Sequence, residues 1–281
     1  KIVTTTYWQS IKMIPPKISA VVTCFLLCLS IYSVKADVQK LPKFELGVSA
    51  VSLHIPDYRG SSHARSLLLP APYVRYRSDT LKIDNGVQGI FLDSDRWRLT
   101  ISGGATLPVS EDNPERQDMA QLKATLEIGP SLDYKIFQGK RNQVWLELPV
   151  RLAFTLERNL RNLGPAFEPR LVWLHPTYKK ADWKLRFASG PLYASNKKHD
   201  YFYRVGPADA TTSRPAYDAD GGFSGIRSDF TYGKRFGDYR IGGFIRYDSL
   251  SNSVVENSPL ITQKSTWLAG VVFSWVFRED D

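Results

Sequence analysis

From Thr266 to Phe277 the sequence runs TWLAGVVFSWVF, and this stretch limits the possible folds more than any other. Val271, Phe273, Trp275 and Phe277 recur with period two, while Gly270, Val272, Ser274 and Val276 take the alternate places. A strand sends alternate side chains to opposite faces, so one face is a wall of bulky apolar groups and the other is small and mixed. Two folds use such a strand. In a soluble sandwich the bulky face is core. In an outer-membrane barrel this is the closing strand, its bulky face toward lipid and its small face toward the lumen.

The rest of the chain is read against those two. A mean hydropathy of -0.27 argues against a bundle of membrane helices but not against a barrel, whose strands are only half apolar. The one long apolar run, Ile18 to Val34, follows Lys12 and Lys17 and precedes the small-residue site Val34-Lys35-Ala36. It reads as a secretory signal peptide cut after Ala36, with Met13 as initiator and residues 1–12 as an upstream extension. Residues 37–281 are then the mature chain. Both cysteines, Cys24 and Cys28, fall in the leader, so the mature chain has no disulfide and depends on its core or on barrel closure. Residues 1–36 hold four lysines and no acid, which leaves 33 basic against 28 acidic residues. That mild excess is spread along the chain and does not form a nucleic-acid stripe.

Strand patterns recur at Phe44–His54, Leu67–Arg77, Leu81–Phe91, Arg96–Leu107, Ala120–Ile128, Val144–Leu156, Phe167–Tyr178, Trp183–Tyr193, Tyr201–Val205, Phe223–Phe236 and Tyr239–Leu250. Several have the ten or so residues a tilted strand needs to cross a bilayer. No amphipathic helix of useful length is apparent. Pro70 and Pro72 within the second pattern point to a bulge or an exposed edge. Opposite the apolar faces lie charges: Glu45, Arg98, Lys123, Glu127, Glu147, Arg151, Arg186, Arg227, Asp229 and Arg246. A soluble barrel would turn these outward, and a membrane barrel would turn them into a wet lumen. The expected fold is all-β, a transmembrane antiparallel barrel of about 12 strands, with 10 to 12 fitting the pattern. Arg98, Glu127, Glu147, Arg151, Arg227, Asp229 and Arg246 are its candidate lumen charges, and Val271, Phe273, Trp275 and Phe277 its lipid-facing closing row.

Signals for chemistry are weak. His54, His63, His175 and His199 have no metal-ligand spacing, and no cofactor site is indicated. His54 and Asp57 flank the first turn, but a lone pair of that kind is more often structural. Gly60-Ser61-Ser62 lacks the strand-to-helix context of a nucleophile elbow. Asp218, Asp220 and Gly221-Gly222 match a fragment of a calcium loop whose remaining ligands are missing, so a polar loop tip is the simpler reading.

The sequence resembles the MipA/OmpV family of Gram-negative outer-membrane proteins, named for the MltA-interacting protein. The carrying residues are Glu45-Leu46-Gly47-Val48, Pro56-Asp57-Tyr58-Arg59-Gly60-Ser61, and Pro70 with Pro72-Tyr73-Val74-Arg75-Tyr76. Tyr203-Arg204-Val205, Asn257-Ser258-Pro259-Leu260 and the closing aromatic strand follow in order. The resemblance implies a non-enzymatic barrel in the outer membrane that scaffolds a lytic transglycosylase and a penicillin-binding protein in murein growth. It also implies insertion by the barrel-assembly machinery among outer-membrane lipid and lipopolysaccharide. A porin-like channel for small solutes is the alternative that the inner charges suggest, and a hydrolase at the rim is a third. The turn Pro56–Ser61 is the family-motif segment with a possible contact role. One departure is the polar tail Arg278-Glu279-Asp280-Asp281 after the last aromatic.

Overall fold

The structure is a computed structural model that describes residues 43–77, 81–83, 87–175 and 183–280. The leader expected over residues 1–36 lies outside the described residues. The strands are β1 (Phe44–Pro56), β2 (Ala64–Arg77), β3 (Leu81–Ile83), β4 (Val87–Asp93), β5 (Trp97–Thr106), β6 (Thr125–Gln138) and β7 (Gln143–Thr155). They continue as β8 (Asn162–Phe167), β9 (Arg170–His175), β10 (Lys184–Ala194), β11 (Gly222–Phe236), β12 (Tyr239–Ser249) and β13 (Ser265–Asp280). One helix, α1 (Asn196–Tyr203), lies between β10 and β11.

Every described pairing is antiparallel, all but β7–β9 and β8–β10 join sequence neighbours, and β13 returns to β1, with Phe44 opposite Asp280 and His54 opposite Ala269. The sheet is therefore a closed barrel. β8 and β9 share one position, both lying between β7 and β10, so the wall is twelve strands round. Glu168 and Pro169 interrupt that shared strand because proline has no N–H to give the ladder. Opposite, a Cβ on Gly190 would stand 1.9 Å from the Pro169 carbonyl oxygen, so only glycine admits this close approach.

Five connections gather at the end opposite the chain termini: residues 57–63, 107–124, 156–161, 195–221 and 250–264. The termini end has shorter links, such as 94–96, 139–142 and 237–238.

Several expected elements differ: the Ala120–Ile128 strand starts only at Thr125 and runs on to Gln138, and the Phe167–Tyr178 pattern is broken at Glu168 and Pro169. The Leu81–Phe91 pattern is two short strands, β3 and β4, folded into a hairpin. Tyr201–Val205 is not a strand: Tyr201 to Tyr203 close α1, whose N-cap Ser195 accepts a hydrogen bond from the Lys198 amide. The polar tail is no appendage, since Arg278, Glu279 and Asp280 extend β13 and pair with Leu46, Glu45 and Phe44.

Candidate functional site: a bridged lumen under a capped mouth

Alternation sorts the side chains into two sets. Val271, Phe273, Trp275 and Phe277 project from the outer face, each 41 to 54% exposed. Tyr239 stacks beside Phe273 (5.6 Å) and Tyr247 beside Trp267 (4.7 Å) on the same surface. On β6, β7, β11 and β12 the inward set is rich in buried polar groups.

The seven candidate lumen charges all take part in inward ion pairs. Arg98 meets Asp133 at 3.3 Å and lies 4.4 Å over the Trp145 ring. Glu147 accepts from Arg170 (2.7 Å) and Arg186 (2.8 Å). Arg246 donates to Asp229 (2.6 Å). Arg151 donates to Glu168 at 3.0 Å and comes within 4.0 Å of Glu127, which also holds Lys198 of α1. Glu168 lies 3.6 Å from Arg170 and 3.8 Å from Arg227. Arg227 donates to Asp248 (2.9 Å), and Arg59 meets the same carboxylate at 3.0 Å.

Beside the Arg98–Asp133 and Arg246–Asp229 pairs, the remaining contacts form one continuous chain of charge from β7 through β11 and β12 to the first loop. Glu168, Asp248, Lys198 and Arg59 were not among the residues singled out as lumen charges. Asp248 shares the inward parity of Arg246 and could have been found. Glu168, just before a proline, looks like a turn residue. A second cluster nearer the termini joins Arg240 to Glu45 (3.0 Å) and Glu279 (2.7 Å), with Arg235 on Glu279.

Above the charges, the long connections build a small hydrophobic core of their own. Tyr58, Val109, Leu122, Tyr203, Val205, Leu250, Val255 and Leu260 are all buried there. The motif Pro56–Ser61 is its keystone. Tyr58 Oη donates to the Leu260 carbonyl (2.8 Å), and its ring meets Tyr203 edge-on at 6.3 Å. The Gly60 carbonyl accepts from the amides of Thr262 (2.9 Å) and Gln263 (3.0 Å). Gly60 has φ of 93°, and a Cβ there would stand 2.7 Å from the Leu250 side chain.

His54, which with Asp57 flanks the first turn, bonds Ser66 at 3.2 Å. Asp57 instead holds His63 Nδ1 (2.8 Å) and accepts from Asn113 Nδ2 (2.8 Å). The Ser61 hydroxyl lies against the His63 carbonyl and Glu115. The structure therefore does not bring His54 and Asp57 together. Asp218 is held by Arg204 at 2.7 Å.

His199 and Glu115 are among the cap groups with shifted acidity. Burial holds the His199 imidazole below its usual pKa, leaving it neutral: Nδ1 donates to the Asp220 carbonyl (2.6 Å) and Nε2 accepts from Ser224 (2.9 Å). Partial burial works against charge on Glu115, yet hydrogen bonds from Ser62 and Thr262 outweigh it and lower its pKa. A carboxyl lowered on folding stabilises the fold above its unfolded pKa, and that stability is lost as pH falls through the folded value. Proteolysis of the cap should therefore accelerate as pH drops below the ordinary glutamate range, about 4.3. Glu115→Gln should be cut faster at neutral pH, with that part of the pH dependence removed.

A family model described as MltA-interacting protein MipA matches residues 46–277. No curated protein matches the sequence at a significant level. Among solved structures, a bacterial polysaccharide outer membrane secretin is 13% identical with a TM-score of 0.39, covering 86% of this chain and all of that one. An outer membrane channel from Pseudomonas putida F1 is 12% identical with a TM-score of 0.44, covering 88% and 100%. The outer membrane protein OprG from Pseudomonas aeruginosa is 8% identical with a TM-score of 0.23, covering 85% and 97%.

Proposed function

The chain belongs to the MipA family of MltA-interacting proteins, and from that membership we propose that this outer-membrane barrel is a non-enzymatic anchor for murein enzymes. Its partners on this reading are a lytic transglycosylase and, in the same assembly, a penicillin-binding protein. One observation carries the preference for an anchor over a conduit. The inner wall from β7 to β12 is laced by the Arg151–Glu168–Arg227–Asp248 chain, beneath loops with a hydrophobic core of their own. Ion pairs locked along the wall under a packed cap serve rigidity better than they serve passage.

Bacterial barrels keep short turns in the periplasm and longer loops outside. On that rule the termini end is periplasmic, and a murein enzyme meets the short turns rather than the motif Pro56–Ser61. A cleft of about 380 Å³ at that end is lined by Asp95, Arg96, Lys135, Ile136, Phe137 and Gln138. Ile136 and Phe137, 52% and 55% exposed, are its apolar elements.

The test has two arms. Protein refolded in detergent should capture a lytic transglycosylase of the MltA type, and the pair Arg96→Glu with Phe137→Ala should weaken capture while cap substitutions leave it unchanged. The same preparation in planar bilayers should show no steady conductance. Regular conductance steps without capture would replace the anchor with a small-solute channel.

A further inference from the structure

The connection 107–124 folds back on itself. The Val109 amide donates to the Leu122 carbonyl (3.1 Å) and Gln121 Nε2 to the Val109 carbonyl (3.4 Å), so residues 109–122 form a compact loop closed at its neck. The loop encloses a cavity of about 160 Å³ whose lining comes from this loop alone, Val109, Glu111, Arg116, Met119 and Ala120 among them.

Two of the lining residues carry charge, Arg116 and Glu111. Arg116 is only 9% exposed. Its Nη1 donates to the Phe202 carbonyl (3.1 Å), Nη2 reaches the Ala120 carbonyl at 3.4 Å, and Nε has no hydrogen-bond partner. Arg214, whose charge acts on Arg116, likewise meets only carbonyl oxygens, those of Glu115, Gln117 and Asp209. Among the described residues neither arginine forms an ion pair. Burial presses the Arg116 pKa below the usual arginine value, and the Arg214 charge adds to this. A buried guanidinium held by carbonyls alone has no counter-ion against it, which is costly. Glu111, exposed at the same cavity, does not pair with it. Opposite charges around so small a space ordinarily close on each other, and these stay apart.

We propose that the cavity binds a small zwitterion of the α-amino acid class, its carboxylate on Arg116 and its ammonium on Glu111. A guanidinium suits a planar carboxylate better than any other side chain. Val109 and Met119 supply an apolar wall for a short side chain. Size sets the limit: an engineered cavity of about 150 Å³ takes up benzene, and alanine is a ligand of like bulk. A disaccharide or a whole lipid is too large. The site stands apart from the anchoring role, which uses the opposite end of the barrel.

The full chain, refolded in detergent, is titrated with alanine, acetate and ethylamine while saturation-transfer NMR follows the methyl signal of each. Alanine should bind about tenfold more tightly than either fragment, the worth of one further charge-assisted hydrogen bond. Glu111→Gln, a change at an exposed position, should bring alanine down to the affinity of acetate. Ala120→Trp fills the space and leaves both charges, so it should abolish binding while the cap keeps its resistance to trypsin. No saturable alanine signal, or equal affinity for alanine and acetate with Glu111→Gln indifferent, would overturn the zwitterion site. Alanine binding that survives Ala120→Trp would lie elsewhere on the protein and overturn it too.

Discussion

Glu168→Ala should be the most damaging single substitution in the lumen, lowering barrel stability by about 3–5 kcal/mol, the usual cost of removing one partner from a buried ion pair. The side chain is 5% exposed and lies within 4 Å of Arg151, Arg170 and Arg227. Removing it leaves three guanidinium groups facing one another without their shared counter-charge. Glu168→Gln keeps hydrogen-bond acceptors but not the charge, so its cost should fall between wild type and alanine. Unfolding midpoints in urea, read from the heat-modifiable band, would rank the three. A change within about 0.5 kcal/mol for alanine would mean the network is solvated enough to behave like surface pairs. Planar-bilayer recording supplies a second readout, because an unpaired arginine cluster should favour anions if the bridge was what closed the path.

Tyr58→Ala is expected to open the loop cap while the barrel persists. The ring is buried among residues contributed by connections far apart in sequence, and removing a buried aromatic costs about 3–5 kcal/mol. Tyr58→Phe keeps the ring and loses only the hydrogen bond to the Leu260 carbonyl, worth about 1 kcal/mol. Trypsin should then cut the alanine variant after Arg204 while heat-modifiability survives, since loops can open locally below the global unfolding free energy. If the whole barrel melts with the cap, the two are one cooperative unit.

How much of this was legible depended on whether a residue's role is set by its near neighbours. The closing strand and β7 could be read directly, because their two faces differ in every pair of residues. Arg246 and Asp229 followed from parity alone. The Tyr201–Val205 stretch misled because alternating aromatics mimic a strand, and α1 is too short, at eight residues, for a 3.6-residue period to show. Its Ser195 cap and the burial of His199 and Tyr203 decide it. The Leu81–Phe91 pattern held its own warning, since Asn85-Gly86 is a strong hairpin signal. Glu168 was hidden by Pro169, which looks like a turn and is instead a break in a wall strand. The cap could not be read at all. Tyr58 finds Leu260, and Arg116 finds the Phe202 carbonyl at 3.1 Å, through folding alone.

That remoteness sets an order of events. Gly60 and Thr262 are brought together only when β1 has met β13, and contacts of such long sequence separation form late because loop-closure entropy must be met first. The cap is thus a latch that can engage only on a finished ring. A probe placed between Tyr58 and Leu260 would report not merely local order but the moment the first and last strands of the chain find each other.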